Sequence, residues 1–143
     1  MNNVNENECS KIKMIRNYIK DLSFENPQNI NENNSVNNEN SSIDVQMNVV
    51  YKPYNDNKFF SLILRYTIDC SSKHNKKKLF NLELDYFGFF EVLVQTKNNQ
   101  EDLTKIALKL LFPFVKEIIE NISKNGGSLP ITLNEIDFNL TKN

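Results

Sequence analysis

Apolar and polar residues alternate through much of the stretch from Ile43 to Val94, and then the period changes. Ile43, Val45, Met47, Val49 and Tyr51 alternate with Asp44, Gln46, Asn48 and Lys52, the period of two expected of a half-buried strand. Pro53 to Asn57 carries turn residues. Phe60, Leu62, Leu64, Tyr66 and Ile68 then share one face of a second strand, opposite Ser61, Arg65, Thr67 and Asp69. A Lys-rich tip from Lys73 to Lys78 turns the chain, and Phe80, Leu82, Leu84 and Tyr86 repeat the pattern against Asn81, Glu83 and Asp85. Gly88 suggests a bulge before Phe89 to Val94 extends this strand. Short turns between such runs imply an antiparallel sheet. Upstream, Lys11 to Glu25 carries Ile12, Met14, Ile15, Tyr18, Ile19, Leu22 and Phe24. That spacing fits a bent or irregular strand better than a helix.

From Glu101 to Asn125 the spacing becomes helical. Leu103, Ile106, Ala107, Leu110, Leu111, Phe114, Ile118, Ile119 and Ile122 make one broad apolar stripe on a helix of about 36 Å. Gly126 and Gly127 supply its stop, and Lys124 lies at the negative end of its dipole. Pro113 is expected to kink or divide it, because proline removes a backbone donor and crowds the preceding turn. The fold class is therefore α+β. Residues 1–10 are polar and expected to be disordered, and 11–143 to form one domain interrupted by a polar Asn-rich connector at 28–42. Residues 129–143 suggest an extended connector with at most a short helical turn.

Composition narrows the function. At 143 residues the chain is sized for one modest core, so a lone protomer would be marginal. No apolar run approaches the ~20 residues needed to span a bilayer. The N-terminus lacks the basic start and apolar stretch of a secretory signal, which makes the cytoplasm the expected location. Cys9 and Cys70 are far apart, suit a reducing compartment and lack metal-ligand spacing. A net charge of -1 gives no field to attract a phosphate backbone, so no nucleic-acid partner is expected. His74 is the single histidine and sits in the lysine-rich turn; no nucleophile has a histidine partner and no phosphate loop exists. No catalytic residue, metal or cofactor is expected, and the protein reads as a binder rather than an enzyme.

Asp21, Glu25, Glu83 and Asp85 fall on strand positions facing away from their apolar neighbours, either as an exposed acidic face or simply as the solvent side of a sheet. The apolar excess says more. Ten phenylalanines and five tyrosines include Phe59, Phe87 and Phe89, which with Ile63 and Leu93 lie on the other parity of the strands. One helical layer cannot obviously cover both parities. Surplus apolar surface implies self-association, a peptide-binding groove, or both.

Two segments carry a resemblance. Tyr18, Lys20, Asp21, Leu22, Ser23, Phe24, Glu25 and Pro27 form a Y-x-K-D-[IL]-S-F-E-x-P segment. Leu110, Leu111, Phe112, Pro113, Phe114 and Lys116 lead through Gly126 and Gly127 to Ile136, Asp137 and Phe138. Over about residues 16–138 the chain resembles the SecB family of protein-export chaperones. The resemblance implies a four-stranded antiparallel sheet with a long Pro-kinked helix, and a short or missing second helix, on one side. It implies a homotetramer built as a dimer of dimers, with an interface at Leu82, Leu84, Tyr86, Leu110, Phe114 and Ile118. It further implies an ATP-independent chaperone that holds unfolded preproteins and passes them to the SecA motor, without inserting into the membrane. Family SecA contacts carry over to Asp21, Glu25 and Glu83, with Asn81 replacing a frequent leucine. Client contacts carry over to Ile43, Val45 and Met47. The alternatives are a chaperone dedicated to one client, or an oligomeric scaffold with no chaperone activity.

Overall fold

The structure is a computed structural model and describes residues 11–28, 41–95, 99–127 and 131–133. Expectations placed on residues 1–10, 29–40 and 134–143 lie outside the described residues. Four long strands, β1 (Ile12–Glu25), β2 (Ser41–Tyr54), β3 (Phe59–Ser72) and β4 (Lys78–Val92), are followed by one helix, α1 (Asn99–Asn125). They form a sheet in the order β1-β4-β3-β2, with every pair antiparallel. The helix lies on one face, contacting β1, β4 and β3.

Alternation runs through the middle of β3 and β4, where the even-numbered residues from Phe60 to Cys70 and from Phe80 to Phe90 are buried. Phe60, Leu62, Leu64, Tyr66, Ile68, Phe80, Leu82 and Phe90 are fully inaccessible beneath the helix. β1 achieves the same face by another route. Its pairing with β4 shifts between Met14 and Arg16 and again between Ile19 and Asp21. Each shift inserts one extra residue and reverses the parity. As a result Ile12 and Met14, then Asn17 and Ile19, then Leu22 and Phe24 all stand opposite helix-side positions of β4. This is why β1 shows no clean period of two.

Two expectations change and a third is narrowed. Gly88 is not at a bulge: it stays in register opposite Asn17 and Leu62. It is there for space, since a Cβ would lie 2.7 and 2.9 Å from ring atoms of Phe90 and 3.0 Å from Leu111. β2 begins at Ser41, paired with Ser72, so the polar connector is shorter than 28–42 at its C-terminal end, and Pro53 and Tyr54 extend the strand beyond the expected turn. The turn itself uses Asn55, Asp56 and Asn57 with φ of 49, 53 and 66°, the left-handed region that Asn and Asp tolerate best. Third, α1 runs through Pro113 without being divided. Packing on the sheet outweighs the loss of one backbone bond.

The buried stripe of α1 is also rotated from expectation. Leu103, Ala107, Leu111, Val115 and Ile119 are its centre, flanked by Ile106, Leu108 and Phe112, whereas Phe114 remains 39% exposed. The helix ends where the Gly126 N–H donates to Ile122 O at 2.8 Å and Gly127 adopts φ of 88°. Asn26 Nδ2 donates to Gly126 O at 2.8 Å, and the Phe24 ring fills the place a Gly126 side chain would need. Ser123, fully buried, donates to Ile119 O at 2.8 Å and accepts from Ile131 N at 3.0 Å, fixing the chain after the helix.

Two outcomes test this packing. Gly88→Ala is expected to lower the unfolding free energy by about 1–3 kcal/mol, because Phe90 and Leu111 must move in a filled core; an unchanged urea midpoint would contradict it. Cys70 is fully buried, and that burial pushes its thiol pKa up. In a Cys9→Ser background, a thiol reagent is expected to react with Cys70 only at the rate of unfolding. Because the folded thiol holds its proton more tightly than the unfolded one, its contribution to stability is present below the unfolded pKa and declines as pH rises past it.

Candidate functional site

The side of the sheet opposite α1 carries the acidic residues. Register brings them together: Asp21 stands opposite Asp85, Glu83 opposite Ser23, and Glu25 opposite Asn81. Glu83 is thus diagonal to both Asp21 and Glu25 across adjacent strands, and all three are exposed. Two other acids on this face are engaged. Asp85 takes a bidentate pair from Arg65, with Nε at 2.7 Å and Nη2 at 3.0 Å. The hydrogen bond and charge of Asp85, with a further contribution from Asp21, hold the Arg65 guanidinium above its ordinary pKa. Asp69 accepts from Asn81 Nδ2 at 2.6 Å and lies 3.9 Å from Lys78 Nζ. Asp21, Glu25 and Glu83 have no ion pair among the described residues. Asn81 turns its amide to Asp69, so this position gives a polar contact.

Ile43, Val45 and Met47 lie on the helix side of β2, opposite Cys70, Ile68 and Tyr66. The structure separates them by burial. Ile43 is 41% exposed and Val45 half-buried, while Met47 is closed into the core at 6%. Met47, expected as a surface contact, is instead buried within the protomer. Val49 and Tyr51 continue the half-buried strip, and burial pushes the Tyr51 phenol pKa up.

The six expected interface residues divide likewise. Leu110, Phe114 and Ile118 follow one another at four-residue spacing and form a strip on α1 outside the buried stripe. Phe114 stacks on Tyr86 at 6.2 Å, and Tyr86 accepts from Asn17 Nδ2 at 2.7 Å. Leu82, Leu84 and Tyr86, by contrast, are 0, 1 and 4% exposed within the protomer. Their side chains are buried within the protomer, because even positions of β4 point beneath the helix. Leu108, Phe112 and Val115 are core residues missing from the expected stripe; their spacing to Leu111 and Ile119 was the available signal.

The open face also carries an aromatic group that sequence reading noted only as surplus. Tyr18 and Phe87 lie 4.8 Å apart, Phe59 and Phe89 5.6 Å, and Tyr54 and Phe89 5.8 Å.

Among the described residues no group of three or more His, Cys, Asp or Glu could hold a metal ion, and no helix is long and apolar enough to cross a membrane. Exposed apolar strips and an unneutralised acidic cluster on a long-stranded sheet define a protein-binding platform. The chain belongs to the SecB family of protein-export chaperones: residues 5–141 match the family described as preprotein translocase subunit SecB. It is 34% identical over 129 residues to a protein-export protein SecB of Nitrobacter hamburgensis, covering 90% of this chain and 79% of the relative. A SecB of Orientia tsutsugamushi is 30% identical with the same coverage, and one of Bartonella bacilliformis 33%, covering 94% of this chain and 82% of the relative. The fold is similar to that of a Mycobacterium tuberculosis SecB-like chaperone solved with an antitoxin peptide. That match has a TM-score of 0.65 at 7% identity and covers 90% of this chain and 93% of the other.

Proposed function

We propose that the protein is a cytoplasmic, ATP-independent chaperone that holds unfolded preproteins and hands them to the SecA motor, with no enzymatic step of its own. One observation carries this reading: the two candidate surfaces lie on opposite faces of one sheet. Ile43 and Val45 are on the helix side, and Asp21, Glu25 and Glu83 are on the open side. A client and the motor can then be held together, as handover requires. The chain acts as one folding unit. Leu110, Phe114 and Ile118 join protomers into a dimer of dimers. Several weak apolar sites on one assembly retain an unfolded chain by raising its effective concentration at the next site.

Charge reversal at Asp21 and Glu83 together is expected to weaken SecA binding at low salt and leave capture of an unfolded preprotein unchanged. Isothermal titration with each partner checks this, and equal loss of both would contradict a separate docking face. Ile43→Asp with Val45→Asp should do the reverse. A scaffold without chaperone activity would leave client aggregation unaffected even in the unmodified protein.

Phe114→Ala with Ile118→Ala is expected to shift light-scattering mass from tetramer to smaller species. Its cost in protomer stability should fall at or below the ~2–5 kcal/mol of buried large-to-small changes, since both sites are partly exposed. An unchanged mass would remove this strip from the interface.

A further inference from the structure

The open face is ordered in rows by strand register. One row, Tyr18, Phe87, Ile63 and Val50, is apolar across all four strands. It stays partly open: Tyr18 and Val50 at its ends are 40 and 46% exposed, and Phe87 and Ile63 between them are half-buried. The next row toward the C-terminal end of β1 is Asp21, Asp85, Arg65 and Asn48, followed by Ser23, Glu83, Thr67 and Gln46. The unneutralised acids therefore begin beside the apolar row. From Phe87 to Glu83 along β4 is about 13 Å.

The apolar end is also pre-organised. Phe59 and Phe89 are parallel within 2°, Tyr54 meets Phe89 edge-on, and Tyr18 leans on Phe87. Arg16 caps the Tyr18 ring at 5.0 Å and Lys52 the Tyr54 ring at 5.3 Å. Rings held by one another lose little freedom on binding, which favours one defined segment. Surfaces that accept many sequences are adaptable instead. Ile43 and Val45, on the opposite face, make no ring stack and suit that second role.

We infer that the aromatic row is the second half of the motor-docking surface: it takes an apolar side chain of the same SecA segment whose basic residues meet Asp21, Glu25 and Glu83. The inference rests on the acidic end being the SecA site. Charge complementarity sets the occupant's chemistry, a segment in which Lys or Arg stands about 13 Å from an apolar anchor, roughly four residues of extended chain. The acids supply steering and salt dependence, and the rings supply contact that salt does not screen.

The test uses full-length protein and purified SecA. Phe87→Ala and Phe89→Ala are each expected to weaken SecA binding about tenfold, by the same factor at low and high salt. The effect of Asp21→Lys should shrink at high salt. Phe87→Leu keeps apolar area and should bind nearly as the unmodified protein does. Capture of an unfolded preprotein and light-scattering mass should not change. Val50→Ser and Tyr18→Ser, at the exposed ends of the row, replace any ring variant that fails to fold and should weaken SecA binding in the same direction. Unchanged SecA affinity in the ring and row-end variants, with the acid reversals still effective, overturns this inference alone. Acid reversals without effect overturn the docking reading and the inference with it. A parallel loss of client capture assigns the row to clients and also overturns it.

Discussion

The packing of α1 against the even-numbered residues of β3 and β4 is the contact on which the rest of the molecule depends. Phe60, Leu62, Leu64, Phe80, Leu82 and Phe90 meet Leu103, Ala107, Leu111, Val115 and Ile119 with no accessible surface or nearly none. Each of the larger side chains contributes about 1.5–3 kcal/mol by leaving water. The fit is close enough that Gly88 has no room for a Cβ, and Phe24 occupies the room beside Gly126. A helix held this firmly stays continuous through Pro113.

One helix, however, is narrower than four strands. It reaches β1, β4 and β3, leaving the outer side of β2 with Ile43 and Val45 partly open. It also leaves its own strip at Leu110, Phe114 and Ile118 and the whole opposite face of the sheet. These are the surfaces given roles above, and they exist because the core is satisfied without them. A chaperone needs apolar surface that stays available after folding, and an incomplete second layer provides it.

The two faces differ in kind. On the helix side the open residues are aliphatic and lie at the margin of the core. On the other side, aromatic rings stack on one another and on cations, beside Asp21, Glu25 and Glu83, which form no ion pair within 4 Å among the described residues. The first arrangement tolerates many sequences. The second selects. A sheet supplies two such faces because neighbouring residues point to opposite sides.

Much of this was legible in order along the chain. The period of two on β2, β3 and β4 and the helical period after Glu101 determined the elements, since burial on one face imposes the period of the backbone on the sequence. The segments around Asp21 and Pro113 determined the family. The rest required three dimensions. Periodicity could not show that two bulges in β1 bring Asn17 and Leu22 to one face, because parity counting presumes an unbroken register. Nor could it show that Leu82, Leu84, Tyr86 and Met47 are covered while Phe114 is not, since burial depends on where the helix lies across the sheet. The row formed by Tyr18, Phe87, Ile63 and Val50 comes from four separate strands, and only their pairing decided that these residues are neighbours.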